Sequence, residues 1–220
     1  MIKDLFKNKV NFDFVNYSLF GTTSELANIA IKEKLEKADI IFIDYAVFDG
    51  HEQEDREAFE GLVRSCLEQE NEPQVIIFVN AKADGNINTE YIDQIAKYYN
   101  LPVINAQTAL LPEITSGRRT SAEIFADTNK YTEDGQRYLA DFCANYFKVI
   151  NKSQKDKTYS LPASMNRNLQ NFTYIKAEDI KTENEEQFKL ADFPKNQIFK
   201  KGIELSKDTE NPFTFIQEAN

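Results

Sequence analysis

The sequence predicts an α/β protein: a three-layer α/β/α sandwich around a parallel sheet, followed by a small β-rich C-terminal appendage. Three observations carry that expectation. Two near-continuous apolar runs, IIFI within 38–47 and VIIFV at 75–79, are too short for helices and suit strands buried on both faces. Amphipathic stretches stand between and after them, and that alternation calls for a sheet covered on both sides. Past residue 150 the texture changes to polar sequence with short aromatic punctuation.

The elements follow in order. VNFDFVN at 10–16 alternates apolar and polar residues, as a half-buried strand does. Thr23 or Ser24 can cap a helix whose stripe is Leu26, Ile29, Ala30 and Leu35. The IIFI strand is followed by a helix over 55–69, with Phe59, Leu62, Val63 and Cys66 on one face. Pro73 introduces the VIIFV strand, a helix spans 89–100, and PVIN at 102–105 is a short strand. The last helix covers 132–150, with Leu139, Phe142, Cys143, Tyr146 and Phe147 on one side. This gives an α/β domain over 1–150 and a β-rich extension over 151–220. Within the extension, FKLADFPKNQIFKKGIELSKD and NPFTFIQ read as short strands joined by Pro, Gly and Asn turns.

Composition excludes several classes. At 41% hydrophobic and 28% charged residues the chain can build a core, which argues against disorder and collagen. No run approaches the roughly 18 apolar residues of a membrane span. The start, MIKDLFKNKVNFDF, has no apolar h-region, so no secretory signal and a cytoplasmic location are expected. A net charge of −10 disfavours a nucleic-acid partner, because phosphates would be repelled. Cys66, Cys143 and the single His51 give neither a disulfide framework nor a metal-ligand spacing, so buried thiols, no metal and no cofactor are expected.

Ligands on parallel sheets sit beyond the carboxyl ends of the strands, so the informative residues follow the strands. Three such segments stand out: VNYSLFGTTSELANIA, ADIIFIDYAVFDGHE and FADTNKYTEDGQRYLADF. Together they resemble the SGNH/GDSL hydrolase superfamily, over roughly residues 10–150. The first is similar to that family's Asn-x-Gly-x-x-Gly-x-x-Ser turn into a helix. In the second, Ala46-Val47-Phe48-Asp49-Gly50 is similar to the AVNDG form of the family's Gly-x-Asn-Asp turn in a carbohydrate-active branch. In the third, the interval from Asp127 to Gly135 matches the family's common spacing from its Asp to the Gly of the closing helix. PQVIIFVNA and AKYYNLPVINAQTAL resemble its middle strands. The resemblance implies a flavodoxin-like fold and ester hydrolysis by a Ser-His-Asp site.

The departures from the family pattern fall on the chemistry. A serine must attack the acyl carbon, a histidine must take its proton, and donors must hold the oxyanion. No Gly-Asp-Ser occurs, and between Met1 and Ser18 there is no room for the strand that carries it. The family's glycine position is Ser18, its asparagine position is Phe48, and its histidine position is Lys130. Only Asp127 stands where the family has its aspartate. Four losses together imply a non-catalytic copy, with Lys130 paired to Asp127 rather than acting as a base. The crevice implied by the resemblance is lined by Ser18, Gly21, Phe48, Asp49, Asn80, Asp127 and Lys130.

Other candidates are read conservatively. Asp44 and Asp49 flank the turn after the central strand and could hold a metal, but a helix cap and a backbone bond account for such a pair. His51 is a surface or cap residue. Gly21-Thr22-Thr23-Ser24 caps a helix and lacks the spacing of a phosphate loop. Asp84-Gly85-Asn86 is a turn. Tyr159, Phe172 and Tyr174 could stack on a sugar, but packing within the appendage accounts for them.

Two functions are expected. One is a non-catalytic SGNH-like module binding a glycan, an acylated carbohydrate or a protein. The other is an O-acyl esterase completed by an upstream segment, another chain or unrecognised residues. A sheet lacking the family's first strand is also expected to have its edge beside VNFDFVN covered by residues 1–14, by the appendage or by a second copy.

Overall fold

A computed structural model describes residues 11–18, 21–34, 38–50, 52–85, 87–150, 161–165, 177–179, 188–192 and 201–205. The chain divides into two units, Met1–Asn171 and Phe172–Asn220.

The first unit is built on a parallel sheet in the order β1 (Ile40–Ile43), β2 (Gln74–Val79), β3 (Val103–Asn105). Val79 lies beside Asn105, so β2 and β3 end together, while Ile43 lies beside Ile77, so β1 ends two residues earlier. The helices are α1 (Ser24–Lys34), α2 (Gln53–Leu67), α3 (Glu90–Tyr98), α4 (Ala106–Thr115), α5 (Ser121–Ile124) and α6 (Glu133–Ile150). A short antiparallel hairpin, β4 (Phe125–Asp127) and β5 (Lys130–Tyr131), precedes α6.

The alternation of side chains along β2 separates two hydrophobic clusters. Val75, Ile77 and Val79 enter one with Phe59, Leu62, Val63 and Cys66 of α2 and Tyr91, Ile92, Ile95 and Ala96 of α3. Ile76 and Phe78 enter the other with Ala106 and Leu110 of α4, Ile124 of α5 and Cys143 of α6. Helices therefore meet both faces of β2, as its continuous apolar run predicts. Each large side chain fully buried there contributes about 1.5–3 kcal/mol. The same burial pushes the Cys66 thiol up to about 12 and the Cys143 thiol up to about 11.

Several elements differ from the sequence expectation, and α5 and the β4–β5 hairpin, like α4, are not foreseen in it. Residues 11–18 form no strand: they have no ladder partner among the described residues, and alternation alone cannot supply one. Their aromatic rings make contact instead. Phe12 lies 6.2 Å from Phe147 of α6, which meets Phe42 of β1 edge-on at 6.2 Å. Phe14 and Val15 stay exposed. β1 is not buried on both faces, because Phe42 is 38% exposed; among the described residues it is also an edge strand of this sheet. Helix α4 is absent from the periodicity reading; it is started by Asn105, whose side chain accepts the Thr108 N–H at 3.0 Å, and it buries little beyond Ala106 and Leu110.

Residues 161–165 belong to the first unit and run across α2 and α3. Arg64 donates to the Pro162 carbonyl at 2.8 Å and Tyr98 to that of Ala163 at 2.9 Å. Glu60, fully buried, accepts from Tyr99 Oη at 2.5 Å, Ser164 Oγ at 3.1 Å and Met165 N–H at 2.6 Å. Three donors meet the desolvation cost of a carboxylate in that position.

The second unit contains a 3-10 turn, Ala177–Asp179, and an antiparallel pair, β6 (Phe188–Asp192) and β7 (Lys201–Leu205), with Phe188 opposite Leu205. Both strands fall within FKLADFPKNQIFKKGIELSKD. NPFTFIQ, Tyr159, Phe172 and Tyr174 lie outside the described residues.

Candidate functional site

The polar residues that follow the strands gather at the carboxyl end of the sheet. The turn after β1 is held by Asp49, which is 7% exposed. Its Oδ1 accepts the Ser24 N–H at 2.7 Å, and its Oδ2 accepts the Tyr91 hydroxyl at 3.2 Å. One carboxylate thus caps α1 from a distant turn and ties that turn to α3. Burial pushes Asp49 up to about 6, against the lowering effect of these donors. Asn28 reinforces the same corner by donating to the Ala58 carbonyl of α2 at 3.2 Å. The Asp49 carboxylate is engaged by the protein itself.

Phe48 stands in this turn with its N–H on the Tyr45 carbonyl at 3.1 Å, and its side chain is 38% exposed. Gly21, at φ +74°, begins the approach to α1 in the left-handed region where glycine is least strained. Ser18 closes a local turn by donating its N–H to Asn16 Oδ1 at 2.9 Å. His51 and Asn86 lie outside the described residues.

Asp44 and Asn80 are the first residues past β1 and β2. The side-chain amide of Asn80 donates to Asp44 Oδ2, and its backbone N–H also favours the Asp44 carboxylate. Asp44 keeps solvent exposure as a residue, while protein atoms crowd its carboxyl. That crowding pushes Asp44 up to about 7, against the two Asn80 donors. Tyr45, next in sequence, is pushed up to about 12 by burial and by the nearby Asp49 and Asp44 charges. Asn80 Oδ1 is buried and meets no donor among the described residues.

The β4–β5 hairpin leans on the loop after β2. Tyr131 Oη accepts the Ala81 N–H at 2.6 Å and donates back to the Ala81 carbonyl at 3.0 Å, and the Ala83 N–H donates to the Thr128 carbonyl at 3.0 Å. Burial pushes the Tyr131 hydroxyl up to about 12, with the Asp44 charge adding to it. At the hairpin base, Gly135 packs so closely that a Cβ would lie 2.1 Å from the Ile124 carbonyl oxygen. Asp127 and Lys130 are cross-strand partners and both are exposed. The expected ion pair between them is not among the salt bridges of the described residues. Asp127 Oδ1 instead accepts the Thr128 N–H at 2.7 Å, a local turn bond that needs no ordered lysine.

The structure therefore joins Asp49 to Ser24 and Tyr91, Asn80 to Asp44, and Asp127 to its own turn. Asp44 was read from sequence only as a cap or metal ligand, and Tyr45 and Tyr131 not at all. The signal that could have found Asp44 is a polar residue directly after an apolar strand, repeated at Asn80. Among the described residues there is no group of three or more His, Cys, Asp or Glu placed to hold a metal ion, and no helix is long and apolar enough to cross a membrane.

No protein-family model and no curated protein matches this chain. Among solved structures, a two-domain esterase (CEX) active on acetylated mannans is similar to it, at 24% sequence identity and a TM-score of 0.68 over 72% of this chain and 44% of that chain. A structure of a two-domain esterase (CEX) active on acetylated mannans, co-crystallised with mannopentaose, matches at 24% identity and a TM-score of 0.70, over 76% of this chain and 46% of that one. The likeness shows an α/β esterase-like fold. The chain spans less than half the length of the esterase chains it matches.

Proposed function

We propose that this protein is a non-catalytic SGNH-hydrolase-like module that binds a glycan or acylated carbohydrate at the carboxyl end of its sheet. The observation that carries the reading is Phe48. A half-exposed aromatic ring stands in the turn after β1, at the position where the family resemblance requires an asparagine donor to the oxyanion. Lys130 at the histidine position supports the same conclusion. The three-layer arrangement of the family accounts for helices meeting both faces of β2. In this reading Ser18, Gly21, Phe48, Asn80, Asp127 and Lys130 line the crevice, and Asp49 braces it from below.

The carbohydrate part draws on the fold neighbours, which act on acetylated mannans or were crystallised with a mannan fragment. A second reading, an esterase completed by another segment or chain, draws on the greater length of those neighbours. Titration calorimetry with mannopentaose and acetylated mannan, combined with measurement of released acetate, tests both. Binding without acetate release is expected. Acetate release at a rate proportional to enzyme concentration supports the second reading.

A further inference from the structure

We propose that Asp44 and Asn80 form the hydroxyl-binding pair of this crevice, taking two adjacent hydroxyls of a neutral sugar ring between Tyr45 and Tyr131. The inference rests on the glycan-binding reading and assigns its contact residues. β1 and β2 are hydrogen-bonded parallel neighbours with Ile43 beside Ile77, so Asn80 stands two residues beyond the level of Asp44 and its side-chain amide reaches back to it. The Asn80 amide already reaches Asp44, which fixes the carboxylate in orientation while the residue remains open to solvent. An ionised carboxylate offers about four lone-pair sites, so acceptors remain for incoming hydroxyls. Asn80 Oδ1 is a buried acceptor with no donor among the described residues, and such an atom costs about 1–3 kcal/mol in general. A small rotation of the amide toward a ligand hydroxyl would satisfy it.

The surroundings select the ligand class. Asp44 and the nearby Asp49 make this end of the sheet acidic. Phosphate, sulfate and uronate groups would be repelled. A metal ion lacks a sufficient set of ligands among the described residues. A neutral polyol supplies donors without charge. Tyr131 is fixed by its two bonds to Ala81, the residue after Asn80, and Tyr45 directly follows Asp44. Both tyrosines stand close enough to Asp44 to feel its charge, and tyrosine offers an apolar body to a sugar ring face.

The test is titration of the full chain with mannopentaose, followed by amide NMR and calorimetry. In the wild type, shifts are expected at 44–45, 80–81 and 131. Asp44→Ala and Asn80→Ala should each weaken binding at least ~10-fold, while Glu113→Ala, on α4 and paired with Arg118, should leave it unchanged. An oligogalacturonate, the charged counterpart, should not bind. If folded variants bind mannopentaose as the wild type does, or the shifts map elsewhere, the assignment fails and the glycan reading stands. If the wild type binds none of the manno-, xylo- and cello-oligosaccharides, both fail. The wild-type map decides the case even if a variant does not fold.

Discussion

The turn after β1 and the β4–β5 hairpin both carry residues that the hydrolase resemblance marks, and the protein builds them differently. In the turn, the marked aspartate is the anchor: Asp49 is buried and joins Ser24, Tyr91 and its own backbone into one corner. In the hairpin, the anchors are Tyr131 and Gly135 at the base, and the marked residues Asp127 and Lys130 stand exposed. An aspartate at a position that the resemblance marks can therefore serve a structural role in one loop and stand as a surface group in another. Residue type at a family position does not by itself indicate chemistry.

The largest expected effect is at the hairpin base. Gly135→Ala sets a Cβ against the backbone oxygen of Ile124, and neither side can yield without moving α6. Urea denaturation should show a loss of about 3 kcal/mol, well above the ~1 kcal/mol that alanine gains in helix propensity. Next is the anchor of the turn. Asp49→Ala leaves the Ser24 N–H and Tyr91 hydroxyl without their acceptor in a buried corner, and stability should fall by about 2 kcal/mol. Asp49→Asn keeps the shape and one acceptor and should cost less.

A smaller effect concerns pH. Asp44 and Asp49 titrate higher in the folded chain, at about 7 and about 6, than a free carboxyl does. A raised carboxyl favours the folded state most when protonated in both states, and that contribution is lost as pH rises through the folded pKa. These two groups therefore lower the melting temperature between about pH 4 and pH 7. Asp44→Asn should flatten that fall in a thermal melt series, and an unchanged slope would remove Asp44 from the account. The smallest effect is at the exposed pair. Asp127→Asn and Lys130→Ala should each change stability by less than about 0.5 kcal/mol. A larger loss would show that the hairpin tip is as firmly built in as the turn.

Much of this contrast was not legible in the sequence. Strand β2 and the buried face of α2 were, because VIIFV and the Phe59–Leu62–Val63–Cys66 stripe carry their burial in composition and period. The strand expected at 10–16 failed because alternation predicts a half-buried face but does not supply a ladder partner. Glu60 reads as one more acidic residue on a helix; its burial depends on Tyr99, Ser164 and Met165, far along the chain. The Asp44–Asn80 and Asp49–Tyr91 bonds depend on which strands and helices are neighbours, which a local reading does not fix. Phe48 and Lys130 were legible as departures from a family pattern, while the absence of an Asp127–Lys130 bridge was not, since a solvated lysine loses little by staying free.

Incubating the chain with a fluorophosphonate probe and with p-nitrophenyl acetate, beside the Phe48→Asn/Lys130→His double variant and a heat-denatured control, tests the proposed loss of hydrolase chemistry. No labelled serine and only background turnover are expected for both folded proteins, because restoring a donor and a base does not supply a nucleophile. Stoichiometric labelling of one serine, with turnover above the denatured control, would contradict it.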